Sequence, residues 1–228
     1  MKSVPLNIFP TAISEFYVGE EPFFEELIET EKRIGDIPDE LNLATVSNIT
    51  SSYGCNQVRL KIKNYLPENE VTALNYEWSD DMWVGIKESI CANFLDAGQI
   101  YIDQHFGSRP DFTKVMDEIE VSDIWIVRYK EGDYNYFHTH PHAVLSGALF
   151  LKVPPQLNYE KNFPDGQLSF INDGVYDEST LRFSKTFFVQ PEVGKLIIFP
   201  GSFGHLVYPF KGPGTRIVLA VNWGRVHK

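Results

Sequence analysis

Three of the chain's six histidines fall within five residues, at His138, His140 and His142; the others are His105, His205 and His227. Imidazole is the commonest side-chain metal ligand, and alternate side chains of a strand share a face. In the stretch 134–151 (YNYFHTHPHAVLSGALFL), a strand over 134–140 therefore sets His138 and His140 on one wall. His142 joins them only if that strand runs straight through Pro141. Two neighbouring imidazoles are the start of a metal site and need a third ligand from elsewhere in the chain.

His205 is the candidate. It follows the apolar run 194–200 (GKLIIFP) and a glycine-bearing turn, 201–204 (GSFG), and lies eleven residues before Arg216. Taken alone, a histidine so placed is more often a core or turn residue than a ligand. In 215–223 (TRIVLAVNW), Arg216, Val218, Ala220 and Asn222 alternate with Ile217, Leu219, Val221 and Trp223. A lone arginine on an apolar strand is costly to bury without a partner. Arg216 is thus either paired at the mouth of its strand or an anion receptor, because guanidinium binds carboxylate bidentately.

Positioning these residues requires a sheet. From residue 121 onward, β-branched and aromatic runs recur between turn residues, at 121–129, 134–140, 144–153, 166–172, 186–190, 194–200, 205–209 and 215–223. Strands so spaced predict a β-sandwich or barrel. The first half supplies its cover. Residues 3–18 read as one or two edge strands, tolerant of their prolines. Residues 21–35 have a helical stripe at Phe23, Phe24, Leu27, Ile28 and Ile34, with Pro22 in the first turn. Residues 36–66 read mostly as loop, with 60–66 (LKIKNYL) a short strand candidate. Residues 80–97 form a second helix with Trp83, Ile86, Ile90, Phe94 and Leu95 on one side and Gly98 as its C-cap. The expected fold is mainly β with supporting helices, in a single domain: residues 1–120 as helical and edge-strand support, residues 121–228 as the core. The polar stretches 155–165 and 173–185 are expected to be loops shaping an entrance.

Length and composition fit this. The 228 residues are 43% hydrophobic, with 17 Phe and 11 Tyr, enough for one substantial core. The net charge of −11 opposes binding to nucleic acid or anionic membranes. No stretch approaches a membrane span, and the first thirteen residues lack the continuous apolar run of a signal peptide. Cys55 and Cys91 show no paired-motif spacing and read as thiols of a reducing, cytoplasmic compartment. The N-terminal strands are compatible with a homodimer.

The order of these pieces resembles the 2-oxoglutarate-dependent Fe(II) oxygenases, in their prolyl-hydroxylase-like branch. The resemblance is carried by the run 129–134 (YKEGDY), His138-x-His140-Pro141, the strand 147–152 (GALFLK), 191–200 (PEVGKLIIFP), 205–209 (HLVYP) and 216–223 (RIVLAVNW). It is closest to a small group from bacteria and phages with a His-x-His-Pro…Ser-Gly stretch. The resemblance implies a double-stranded β-helix (jelly-roll, cupin-like) core. It implies Fe(II) held by His138, His140 and His205, 2-oxoglutarate as cosubstrate with its distal carboxylate on Arg216, and O2 as co-reactant. Tyr129, Ser146 and Asn222 are implied as further cosubstrate contacts. The activity implied is a dioxygenase, most simply a hydroxylase of a protein side chain or small molecule. Where the family carries a carboxylate, this chain has His140. Three arrangements follow: His140 ligates, His142 replaces it, or an acid such as Asp133 or Asp173 reaches in. Strand alternation favours His140. Two other readings of the same residues are a three-histidine, cupin-like dioxygenase without 2-oxoglutarate and a non-enzymatic β-sandwich binding module; neither gives Arg216 work beyond a salt bridge.

Overall fold

The computed structural model describes residues 2–6, 13–34, 52–53, 56–60, 80–107, 118–158, 164–177 and 182–225. In chain order the elements are β1 (Lys2–Leu6), β2 (Ile13–Tyr17), α1 (Pro22–Ile34), β3 (Ser52–Tyr53), β4 (Asn56–Leu60), α2 (Asp80–Phe106), β5 (Ile119–Tyr129), β6 (Tyr134–His138) and β7 (Leu145–Lys152). A 3₁₀ turn (Pro155–Asn158) follows, then β8 (Leu168–Asp177), β9 (Arg182–Val189), β10 (Lys195–Pro200), β11 (His205–Val207) and β12 (Arg216–Arg225).

The strands build two antiparallel sheets, a major one ordered β1-β2-β10-β7-β12-β5-β4 and a minor one ordered β3-β6-β11-β8-β9. This is the expected mainly-β core, a double-stranded β-helix with helices on one side. The period of β12 decides what lies where. Ile217, Leu219, Val221 and Trp223 join a core with Leu196 and Ile198 of β10, Phe23 and Leu27 of α1, and Ile90 and Phe94 of α2. The opposite parity faces the minor sheet. There Val127, Tyr129, Phe150 and Val218 meet Phe170, Phe199 and Val207 in a second core. A sheet buried on both faces must be apolar on both, so any polar side chain on the inner face stands out.

The two helices are clamped onto the sheet polar group by polar group. Glu31 of α1 accepts from Arg128 Nε of β5 at 2.8 Å, with both side chains largely buried. On α2, Trp223 Nε1 donates to the Phe94 carbonyl at 3.0 Å. This contact corrects the expected end of the helix. Gly98 is not a C-cap but sits inside α2, which continues to Phe106. A Cβ at Gly98 would lie 2.9 Å from the Trp223 ring nitrogen, so the glycine gives the indole its close approach.

Other boundaries shift for tertiary reasons. The stretch expected to be loop, 36–66, contains β3 and β4; β4 is a strand because it pairs with β5 (Gln57 opposite Val127), not because its own pattern is apolar. The strand proposed at 60–66 lies, beyond Leu60, outside the described residues, as do Cys55 and His227. The expected loop 173–185 is largely the β8–β9 hairpin, with a register shift between Ile171 and Val175. The expected strand 134–140 ends at His138. No helix among the described residues is long and apolar enough to cross a membrane.

Candidate metal centre

His138 closes β6 and His205 opens β11, and the two are directly opposite in the antiparallel pairing. His140 lies past the end of β6, so strand alternation is not what delivers it. Its backbone N–H donates to the Gly201 carbonyl at 2.7 Å, and its own carbonyl accepts from Ala143 N at 3.0 Å. Gly201 permits this close approach: a Cβ there would clash with the Ala143 and His140 carbonyl oxygens.

The three imidazoles converge. Their nearest ligand atoms all lie within 4.8 Å of one another, and His140 Nε2 is 3.3 Å from His205 Nε2. Ring centroids are 4.3 Å apart for His138 and His205, 5.1 Å for His140 and His205, and 5.3 Å for His138 and His140. The tautomers follow from the backbone. His138 Nδ1 is 2.7 Å from the Tyr136 carbonyl and His205 Nδ1 is 3.0 Å from the Phe203 carbonyl. A carbonyl only accepts, so both Nδ1 atoms carry the proton and both Nε2 lone pairs face inward.

Burial keeps all three rings in the form a metal requires. It lowers the pKa of His138, against a raising hydrogen bond to the Tyr136 carbonyl. It lowers His140 to about 4, with repulsion from His138 adding to the effect. It lowers His205 well below the ordinary value, with His138 and His140 contributing in turn against a raising hydrogen bond to the Phe203 carbonyl. His205 is 5% exposed and ringed by Phe199, at 4.8 Å, and Phe170, at 5.9 Å. Trp125 lies 5.6 Å from the His140 ring.

The alternatives for the third ligand fare differently. His142 is exposed and outside the cluster. Asp133 serves its own turn, accepting from Lys130 N at 2.7 Å. The side chain of Asp173 is outside the described residues. Among the described residues, the convergent metal-ligating set is His138, His140 and His205.

These histidines line a partly open cavity of about 270 Å³ between the sheets. Along its major-sheet wall run Arg216, Val218, Ala220 and Asn222 of β12 beside Trp125, Val127 and Tyr129 of β5, which is the alternation read from the sequence. Arg216 is fully buried and directly opposite Tyr129 in register. Its guanidinium carbon sits 4.1 Å over the Tyr129 ring, and its Nη1 donates to the Gly166 carbonyl. Asn222 lines the cavity, and Ser146 Oγ donates to Asn222 Oδ1 at 2.7 Å. Ser146 itself stands behind Asn222 rather than among the lining side chains. The pair Ala148 and Ala220, opposite each other, leaves the open volume beneath the histidines.

Four polar or aromatic lining residues were not anticipated: Gln57, Trp125, Asn135 and Thr139. Trp125 was within reach, because it shares the parity of Tyr129 on β5. Gln57 was not, since only the pairing of β4 with β5 brings it inward.

Three neutral imidazoles with convergent Nε2 atoms suit a divalent first-row transition metal, iron included, and the adjoining cavity leaves room for reactants on it. The donor set and the cavity thus fit both an iron ion and a small dicarboxylate.

The comparisons agree. The fold is similar to that of solved prolyl hydroxylases. Residues 123–222 match the model of the family described as "Putative 2OG-Fe(II) oxygenase". The match spans less than half of the chain and marks this core as similar to that family. Among solved structures, a Pseudomonas putida prolyl-4-hydroxylase superposes with a TM-score of 0.57 at 17% identity, covering 95% of this chain and 94% of that one. A Trichoplax adhaerens prolyl hydroxylase, in complex with a hypoxia inducible factor peptide fragment, gives 0.55 at 11% identity, covering 93% and 83%. HygX from Streptomyces hygroscopicus, with nickel and 2-oxoglutarate bound, gives 0.53 at 8% identity, covering 95% and 84%. At these identities the structures speak to the fold, a double-stranded β-helix. No curated protein matches the sequence.

Proposed function

We propose that the protein is a hydroxylase in which His138, His140 and His205 hold Fe(II) and Arg216 receives the distal carboxylate of 2-oxoglutarate. The observation that carries this reading is the single cavity with three convergent imidazoles at one end and a fully buried arginine on its wall. Bound iron and 2-oxoglutarate supply the oxidising chemistry; the residues of this chain bind, orient and exclude water. The Tyr136 and Phe203 carbonyls lock His138 and His205 with Nε2 inward. Tyr129 stacks under the Arg216 guanidinium and fixes its plane, so that the planar fork meets a carboxylate edge-on. Ser146 holds Asn222 by its amide oxygen, leaving the Asn222 NH2 to donate to an oxygen in the cavity. Phe170, Phe199, Val207 and Val218 keep the space dry.

The substrate is a protein side chain or a small molecule reaching the histidine end. The prolyl hydroxylase neighbours favour the former. The deciding experiment is turnover of labelled 2-oxoglutarate by the Fe(II)-loaded protein under air and under nitrogen. Oxygen-dependent release of labelled CO2, lost in His205→Ala, supports the reading. Tight iron binding with no 2-oxoglutarate binding by calorimetry would overturn it.

A further inference from the structure

The three imidazoles are not held alike. His138 and His205 are each pinned by the backbone carbonyl two residues upstream, Nδ1 lying 2.7 Å from the Tyr136 oxygen and 3.0 Å from the Phe203 oxygen. Such a bond fixes a ligating ring in both tautomer and plane. The His140 ring has none among the described residues; its polar contact is Nε2 to the Nε2 of His205 at 3.3 Å. Its backbone is tied to Gly201, which leaves the ring free to turn about its terminal torsion. Among the described residues none of the cavity-lining side chains is acidic, so no carboxylate takes over the place of His140. What stands against that ring, besides the other two histidines, is Trp125, with centroids 5.6 Å apart and planes at 34°. The major sheet explains why it is this residue. β12 sets Ala220 opposite Trp125, and β7 sets Ala148 opposite Ala220. Of these three side chains in a row, only the indole is long enough to reach across the cavity to the histidines.

Given the metal-binding reading above, on which this rests, we propose that Trp125 is a positioning residue of the metal centre. Its indole is the wall that sets the plane of the His140 ring, in place of the carbonyl that sets His138 and His205. Trp125 acts through His140 and binds no reactant in this role. Two rings of the centre are then held by carbonyls beside β6 and β11, and the third by a ring on β5. A ligand whose orientation is set beforehand loses less freedom on binding the ion. An aromatic pair at this separation is worth about 3- to 10-fold in an equilibrium constant.

The test uses the full chain titrated with Co(II) and read by visible absorption, with a chelator competing for the ion to give the affinity. Trp125→Ala should weaken Co(II) by about 3- to 10-fold and shift the cobalt bands. Trp125→Leu, which keeps apolar bulk but no flat ring, should do the same, and it decides the matter if the alanine variant fails to fold. Trp125→Phe should restore affinity and bands to near the wild-type values. Leu219→Ala, a loss of packing on the helix-facing side of β12, should leave both unchanged. In a His140→Ala background, adding Trp125→Ala should cost less than about twofold, because the ring it positions is gone. Unchanged affinity and bands in folded Trp125→Leu overturn the proposal and leave the metal centre intact. So does a loss of equal size with and without His140. A wild-type protein that retains no Co(II) overturns the metal-binding reading, and the role of Trp125 with it.

Discussion

The two faces of β12 are made from the same ten residues and do opposite work. The face carrying Ile217, Leu219, Val221 and Trp223 is a packing surface, filled by helices and sealed by one indole-to-carbonyl hydrogen bond. The face carrying Arg216, Val218, Ala220 and Asn222 is left partly empty, with a cation at one end, an amide at the other and small side chains between. Packing is concentrated on the first, and the proposed function places binding on the second. A protein interior is close-packed, so the open volume over Ala148 and Ala220 lacks packing contacts that the opposite face makes in full.

Changes on the two faces should therefore separate. The largest effect is expected from His205→Ala. Turnover should fall by about a thousandfold or more with the metal site lost, while unfolding of the metal-free protein shifts by no more than about 2 kcal/mol. Urea denaturation beside a metal assay checks both. Trp223→Ala on the other face should reverse the pattern. It should cost about 3–5 kcal/mol of stability, and 2-oxoglutarate affinity measured below the unfolding transition should change little. If instead affinity collapses and stability holds, the division of labour between the faces is wrong. Arg216→Ala should weaken 2-oxoglutarate by about 10- to 100-fold, the value of a charge-assisted pair of hydrogen bonds, and calorimetry measures it directly. Asn222→Ala should weaken it by about 3- to 10-fold, and Ser146→Ala by less, since Ser146 acts only through Asn222.

The last prediction concerns pH. His138, His140 and His205 have pKa values lowered by burial, to about 4 for His140, against about 6.5 in the unfolded chain. Between these values the unfolded chain binds more protons than the folded one. The metal-free protein should therefore be most stable above about pH 6.5 and lose stability as pH falls toward 4. Thermal melts across this range should show the decline. Replacing His140 with Gln should flatten it, and a change on the helix-facing side, such as Leu219→Ala, should lower every melt without altering the slope.

How much of this was legible beforehand differs by residue. The parity of β12 was readable in full, because a strand's two-residue period is local chemistry. So was the meeting of the His138–His140 segment, His205 and Arg216 around one cavity. The path of His140 was not: it reaches the cluster through a hydrogen bond to Gly201, sixty-one residues away, after the strand has ended. Gly98 looked like a helix end because glycine commonly is one, and only the Trp223 ring explains why the helix passes through it. Gln57 and β4 had no signal of their own, since pairing to β5 made that segment a strand.

By itself, then, the sequence determined the periodicities, the mainly-β core with its helical cover, and the residue types able to hold a metal and an anion. These rest on backbone geometry and side-chain chemistry, which act over a few residues. The tertiary structure alone decided which histidine completes the trio, that Ser146 supports Asn222 from behind, and that no described acid lines the cavity. Each of these depends on strand register and long-range hydrogen bonds that bring residues dozens of positions apart into contact, a distance over which no local pattern carries information.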